Sequence, residues 1–172
     1  MTPEQATFLL NAVYLPQIQN EQKTTRRVIE AIPADNTGWQ PDPKSRTALE
    51  LAWHIASSDC FFLNGMADGK FDPSGNQRPE WVLTPAEVLA WYDENFAKAS
   101  GKLADMSPED LARPVNFYGM FNLPAIAYSS FMVTHTVHHR GQLSSYLRPM
   151  GGKVPSIYGG SADEEFKMPA TA

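Results

Sequence analysis

The sequence predicts an all-α protein, a four-helix bundle with long crossover connections, and three observations carry that prediction. Helix start signals recur at Thr2, Thr47 and Thr84, each a threonine followed three residues later by glutamine or glutamate. Apolar residues fall at helical spacing through the stretches that follow. The intervening segments are dense in proline, glycine and asparagine, and none shows the alternation of a strand.

The first helix is expected over residues 3–31. Thr2 is its N-cap, Pro3 its first helical residue and Gln5 the closing member of a capping box, with an interruption near Pro16. The second begins at Ser45 to Thr47, where Thr47 and Glu50 repeat the capping pattern, and runs to Gly69. "TPAE" at Thr84 opens the third, which continues to about Leu103, and "SPED" at Ser107 starts a short helical turn. The fourth is expected from Asn122, with Pro124 in its first turn, to Gly151 and Gly152. Between them "PADNTGWQPDPKS", "KFDPSGNQRPEWVL" and "SPEDLARPVNFYGMF" are expected as loops or crossovers without strands. A helix of 22 residues is about 33 Å long and 15 extended residues reach about 50 Å, so these connections are long enough to cross over. Residues 1–172 are expected to form a single domain, with 153–172 an extended C-terminal tail.

Composition narrows the function classes. With 172 residues, 42% hydrophobic and 19% charged, the chain can fold without disulfide or metal. A net charge of -5 offers no basic footprint for nucleic acid. The opening segment has neither a basic n-region nor a long apolar run, and Cys60 is the single cysteine, so a cytoplasmic location away from membranes is the expectation. Cys60 itself is expected to be a small buried apolar residue.

The chemistry concentrates in "THTVHHRGQL", residues 134–143, which holds three of the four histidines, and in "LAWHIAS", which holds His54. At 100° per helical residue, His139 lies at about +40° from His135, His138 at about -60°, Gln142 at about -20° and Tyr128 at about +20°. The pair His135 and His139 can bind one ion, and His54 can complete three nitrogens with a position left open, the ligand count of a catalytic zinc site. His138 is an alternative partner, an outer donor or a solvent-facing residue, and the spacing does not choose. Glu50 can orient His54, accept a proton or serve only as a cap, while Tyr128 and Gln142 can line a pocket or pack within the bundle. Arg140, about 140° from His135, suits a salt bridge or a subunit contact. Trp53, Phe61, Phe62, Trp91 and Phe96 are expected in the core, with part of that stripe beside the open metal position.

"LAWHIASSDCFF", followed far downstream by "HTVHHRGQLSSYLRPMGGKVPSIYGGSADE", resembles the DinB/YfiT-like family of metal-dependent proteins over nearly the whole chain. The resemblance implies a four-helix bundle with crossover connections and a divalent metal, zinc or nickel, held by His54, His135 and His139, with His138 an accessory neighbour. It implies a thiol-dependent S-transferase acting on a small electrophile with bacillithiol, mycothiol or glutathione, and it admits a homodimer. The catalytic residues beyond the metal ligands are not assigned. A metal-dependent hydrolase using bound hydroxide is the first alternative, and a non-enzymatic metal or small-molecule binding protein the second.

Overall fold

The computed structural model describes residues 1–165. Residues 166–172, part of the tail expected over 153–172, lie outside the described residues. The chain runs as α1 (Pro3–Leu9), a π-helical stretch (Leu10–Tyr14), α2 (Leu15–Glu30), α3 (Ala48–Asp68), a 3-10 turn (Pro73–Asn76), α4 (Pro85–Ala104), α5 (Pro108–Ala112), β1 (Pro114–Phe117), β2 (Phe121–Pro124), a 3-10 turn (Ala125–Ala127) and α6 (Tyr128–Leu147).

The three capping boxes form as expected, at Thr2 with Gln5, Thr47 with Glu50 and Thr84 with Glu87. Each satisfies amide groups that have no partner inside the helix. Gly69 closes α3 in the left-handed conformation (φ 72°), which costs a glycine little. The interruption expected near Pro16 is the π-helical stretch just before it. Proline lacks the N–H that the fourth preceding carbonyl would accept, and its ring crowds that carbonyl, so a wider turn relieves both.

Helices α2, α3, α4 and α6 make the bundle. α3 packs on α4 and α6, and α2 packs on the same two, so α2 and α3 are not neighbours although consecutive. The α2–α3 and α4–α6 connections therefore cross the bundle, as the long segments permit. The core between these helices includes Ile18, Ile29, Ile55, Leu63, Tyr92, Leu103, Ile126 and Leu147. No helix among the described residues is long and apolar enough to cross a membrane.

The expectation that "SPEDLARPVNFYGMF" holds no strand is corrected. β1 and β2 pair antiparallel, with Val115 opposite Leu123 and Phe117 opposite Phe121. Tyr118 (φ 52°) and Gly119 (φ 74°) both take left-handed backbone angles, and the Met120 amide donates to the Phe117 carbonyl, so the turn has the handedness that suits a hairpin. The Tyr128 hydroxyl donates to the Val115 carbonyl (2.7 Å) and accepts from the Leu123 amide (3.3 Å), pinning the hairpin to the start of α6. Asn122 and Pro124 are consequently strand residues, and α6 begins at Tyr128. It also ends before the glycine pair, at Leu147, after which Gly152 donates its amide back to the Leu147 carbonyl.

Candidate metal centre

The site lies between α3 and α6. Seven residues after its cap, α3 presents His54, and α6 presents His135 and His139 one turn apart. The Nε2 atom of His54 lies 3.2 Å from Nε2 of His139 and 3.1 Å from Nε2 of His135. The three ligand atoms all fall within 4.8 Å of one another. Two nitrogens bound tetrahedrally to one ion at the usual 2.0–2.1 Å are about 3.3 Å apart, which matches the two separations from His54.

A hydrogen bond orients one of the three imidazoles. The Nδ1 of His139 lies 2.7 Å from Oε1 of Gln142, an acceptor, so Nδ1 carries the proton and Nε2 presents a lone pair. His54 could donate from Nε2 to His139 or to His135, but one proton cannot satisfy both. Nδ1 of His135 is buried with no hydrogen-bond partner among the described residues. Burial is the main cause that pushes His54 down to about 3 and His135 down to about 4, aided by Arg46 and the neighbouring imidazoles; His139 is lowered too, chiefly by burial. The trio is therefore neutral at physiological pH, the form that binds metal.

His138 is exposed and stands beside the trio, its ring 4.8 Å from that of His139, on the rim of a cavity of about 700 Å³ lined by Phe62, Phe117, Phe131 and His135. The Phe62 ring is 6.0 Å from that of His135, so part of the aromatic stripe does flank the histidines. Trp53, Phe62 and Phe96 are buried, while Phe61 and Trp91 are partly so. Glu50 is the capping residue of α3, its carboxylate accepting from the Thr47 amide (2.8 Å). Tyr128 is fully buried against the hairpin and does not line the pocket. Arg140 points away from the histidines into an ion pair with Glu21, and Cys60 is buried, its thiol pushed up by burial, which rules out a ready thiolate.

Asp59 of α3 is fully buried. It accepts from the hydroxyls of Tyr92 and Thr136, the latter next to His135. Burial raises its pKa to about 7, outweighing the lowering by those two hydroxyls and by Arg140. The folded protein thus holds a proton there that the unfolded chain releases near pH 4, so stability conferred at pH 4 is lost as pH rises towards 7. Histidine effects cancel when wild type and Asp59→Asn are compared. Urea unfolding of the two metal-free proteins should show the variant gaining on wild type by on the order of 2 kcal/mol between pH 5 and pH 8. A difference independent of pH would mean that Asp59 is ionised throughout.

The DinB family profile matches residues 5–167. The chain belongs to the DinB family. Among its DinB relatives is YjoA of Bacillus subtilis (strain 168), 30% identical over 135 residues that cover 77% of this chain and 85% of YjoA. The crystal structure of YjoA superposes with a TM-score of 0.68 over 81% of this chain and 93% of that one. A DinB-like protein from Bacillus cereus superposes with a TM-score of 0.72 at 22% identity, covering 84% and 95% of the two chains. A mycothiol-dependent maleylpyruvate isomerase shares the fold at a TM-score of 0.60 and 13% identity, over 83% of this chain and 61% of the isomerase.

Proposed function

We propose that this DinB protein is a divalent-metal-dependent S-transferase in which a low-molecular-weight thiol attacks a small electrophile beside His54, His135 and His139. The convergence of three neutral imidazole Nε2 atoms from two helices carries the reading. Likeness in fold to an isomerase that depends on mycothiol supports the thiol. Zinc and nickel both accept three imidazoles.

A divalent ion bound there would keep its full charge and favour thiolate over thiol near neutral pH. The chain's own groups do the rest. Gln142 holds the His139 tautomer that leaves Nε2 free. Burial keeps His54 and His135 unprotonated well below pH 6. Phe62, Phe117 and Phe131 wall one side with apolar surface that displaces water from the electrophile. A hydrolase using bound hydroxide usually benefits from a proton acceptor at the trio, and the Glu50 carboxylate is engaged in the cap of α3.

The test adds bacillithiol, mycothiol, glutathione or cysteine to cobalt-substituted protein. A sulfur-to-metal charge-transfer band should grow with pH about a midpoint below the free thiol value of about 8.5. His135→Ala should abolish the band and any transferase turnover. If no thiol produces the band while esters or amides are cleaved, the hydrolase reading replaces this one.

A further inference from the structure

Two more cavities border the trio, on the side of the segment that leads into α3. One, of about 480 Å³, is lined by Lys44, Arg46, Glu50, His54 and Arg78 among others, and the other, of about 470 Å³, by Lys44, Arg46, His139 and Gln142 among others. Lys44 and Arg46 belong to both walls. A chain of net charge -5 has thus gathered three cations beside its histidines. All three side chains are exposed, and Glu50 in the same wall feels the charges of Arg78 and Arg46. Among the described residues the Lys44, Arg46 and Arg78 side chains make no hydrogen bond or ion pair. Glu50, the acid in that wall, is held by the Thr47 amide.

Arg46 lies near enough for its charge to bear on all three imidazoles. The aromatic cavity meets the trio at His135, whose ring centre is 4.8 Å from that of His54. Cationic and apolar walls therefore approach the same point from two sides. An unpaired guanidinium presents a planar fork of donors that matches a carboxylate, and an apolar wall beside it selects what the carboxylate is attached to.

We propose that the small molecule bound at the trio is an amphipathic carboxylate, its carboxylate held by Arg46 with Lys44 and Arg78 adding charge, and its apolar body laid against Phe62 and Phe131. The proposal rests on the trio being the reaction site, and it names the class of molecule that the site takes.

The test uses metal-free protein and two probes of nearly equal shape, 4-phenylbutyrate and 4-phenylbutyramide, followed through the NMR shifts of the His54 and His135 ring protons. Wild type should bind the acid at least about tenfold more tightly than the amide, and added salt should narrow that margin. Arg46→Gln should erase it, Arg46→Lys should keep part of it, and Lys23→Gln, an exposed change on α2, should keep all of it. Arg46 is exposed and unpartnered, so the variants should fold, as far-ultraviolet circular dichroism will check. Equal binding of acid and amide by wild type, or an undiminished margin in Arg46→Gln, overturns the proposal. Neither metal nor thiol is present in the titration. A missing thiol band beside an intact acid preference therefore defeats the S-transferase reading alone, and a thiol band beside equal binding defeats this proposal alone.

Discussion

If the trio holds a divalent ion as proposed, alanine at His54, His135 or His139 should each release it on dialysis, with affinity falling by more than about a hundredfold, while His138→Ala keeps most of it. Outer residues that only orient a ligand cost roughly tenfold to a hundredfold in metal affinity when removed, and loss of a ligand nitrogen exceeds that. Gln142→Ala should fall in the outer-residue range, because it frees the His139 ring to rotate and exchange tautomers without removing Nε2. His138 differs from its neighbours in being exposed, with its ring beside His139 and outside the converging trio. Metal content after dialysis, measured by emission spectroscopy on protein purified without an affinity tag, decides the matter. Equal losses for His138 and His139 would mean that the second ligand on α6 has been misassigned. Because the core is apolar and independent of the site, the metal-free protein should keep its helical signal. Unfolding on chelation would instead indicate a structural ion.

The bundle was legible because its signals are local. A threonine cap with its glutamate and a glycine C-cap announce a helix within four residues of its end, and Thr47, Thr84 and Gly69 behave accordingly. The trio was legible in part for the same reason, since His135 and His139 share a helical face by spacing alone. His54 needed the family resemblance, because nothing in "LAWHIAS" fixes which helix α3 will face. The hairpin escaped because Pro114 and Pro124, usually breakers of strands, sit at its two ends where a missing N–H is tolerated, and its turn relies on Tyr118 in a backbone region few tyrosines adopt. Asp59 and Arg46 escaped for a different reason. The role of each depends on partners or cavities made by distant segments, Tyr92 and Thr136 for the first, Arg78 and His139 for the second. Asp59 did leave one trace, an acid in the middle of a helix otherwise bound for the core, which is costly unless partnered.

The largest loss of stability should come from Arg140, the residue next to His139 that faces the other way. Its guanidinium is 1% exposed and lies 2.5 Å from the Glu21 carboxylate of α2, itself nearly buried. Nη1 also donates to the Glu21 carbonyl (3.2 Å) and to the Thr25 hydroxyl (3.3 Å), and Nη2 donates to the Tyr158 hydroxyl, which in turn donates to Glu21 (2.8 Å). Arg140→Ala leaves Glu21 buried with its cation gone and should cost about 3–5 kcal/mol in urea unfolding, as broken buried pairs do. Tyr158→Phe removes one hydroxyl from the network and should cost about 1 kcal/mol. The pair Arg140→Met and Glu21→Leu, made together, removes both charges and should recover much of the loss, because well-packed apolar residues replace a buried ion pair at little or no cost. An Arg140→Ala variant no less stable than Tyr158→Phe would show that water already screens the pair. The consequence reaches the metal centre through geometry. Arg140 is turned by about 140° from His135 around α6, so anchoring it on α2 fixes the rotation that aims His135 and His139 at His54 on α3. The double variant should therefore approach wild-type stability yet bind metal more weakly than wild type, since apolar packing restores the contact with α2 without the directional hydrogen bonds that set the helix's rotation.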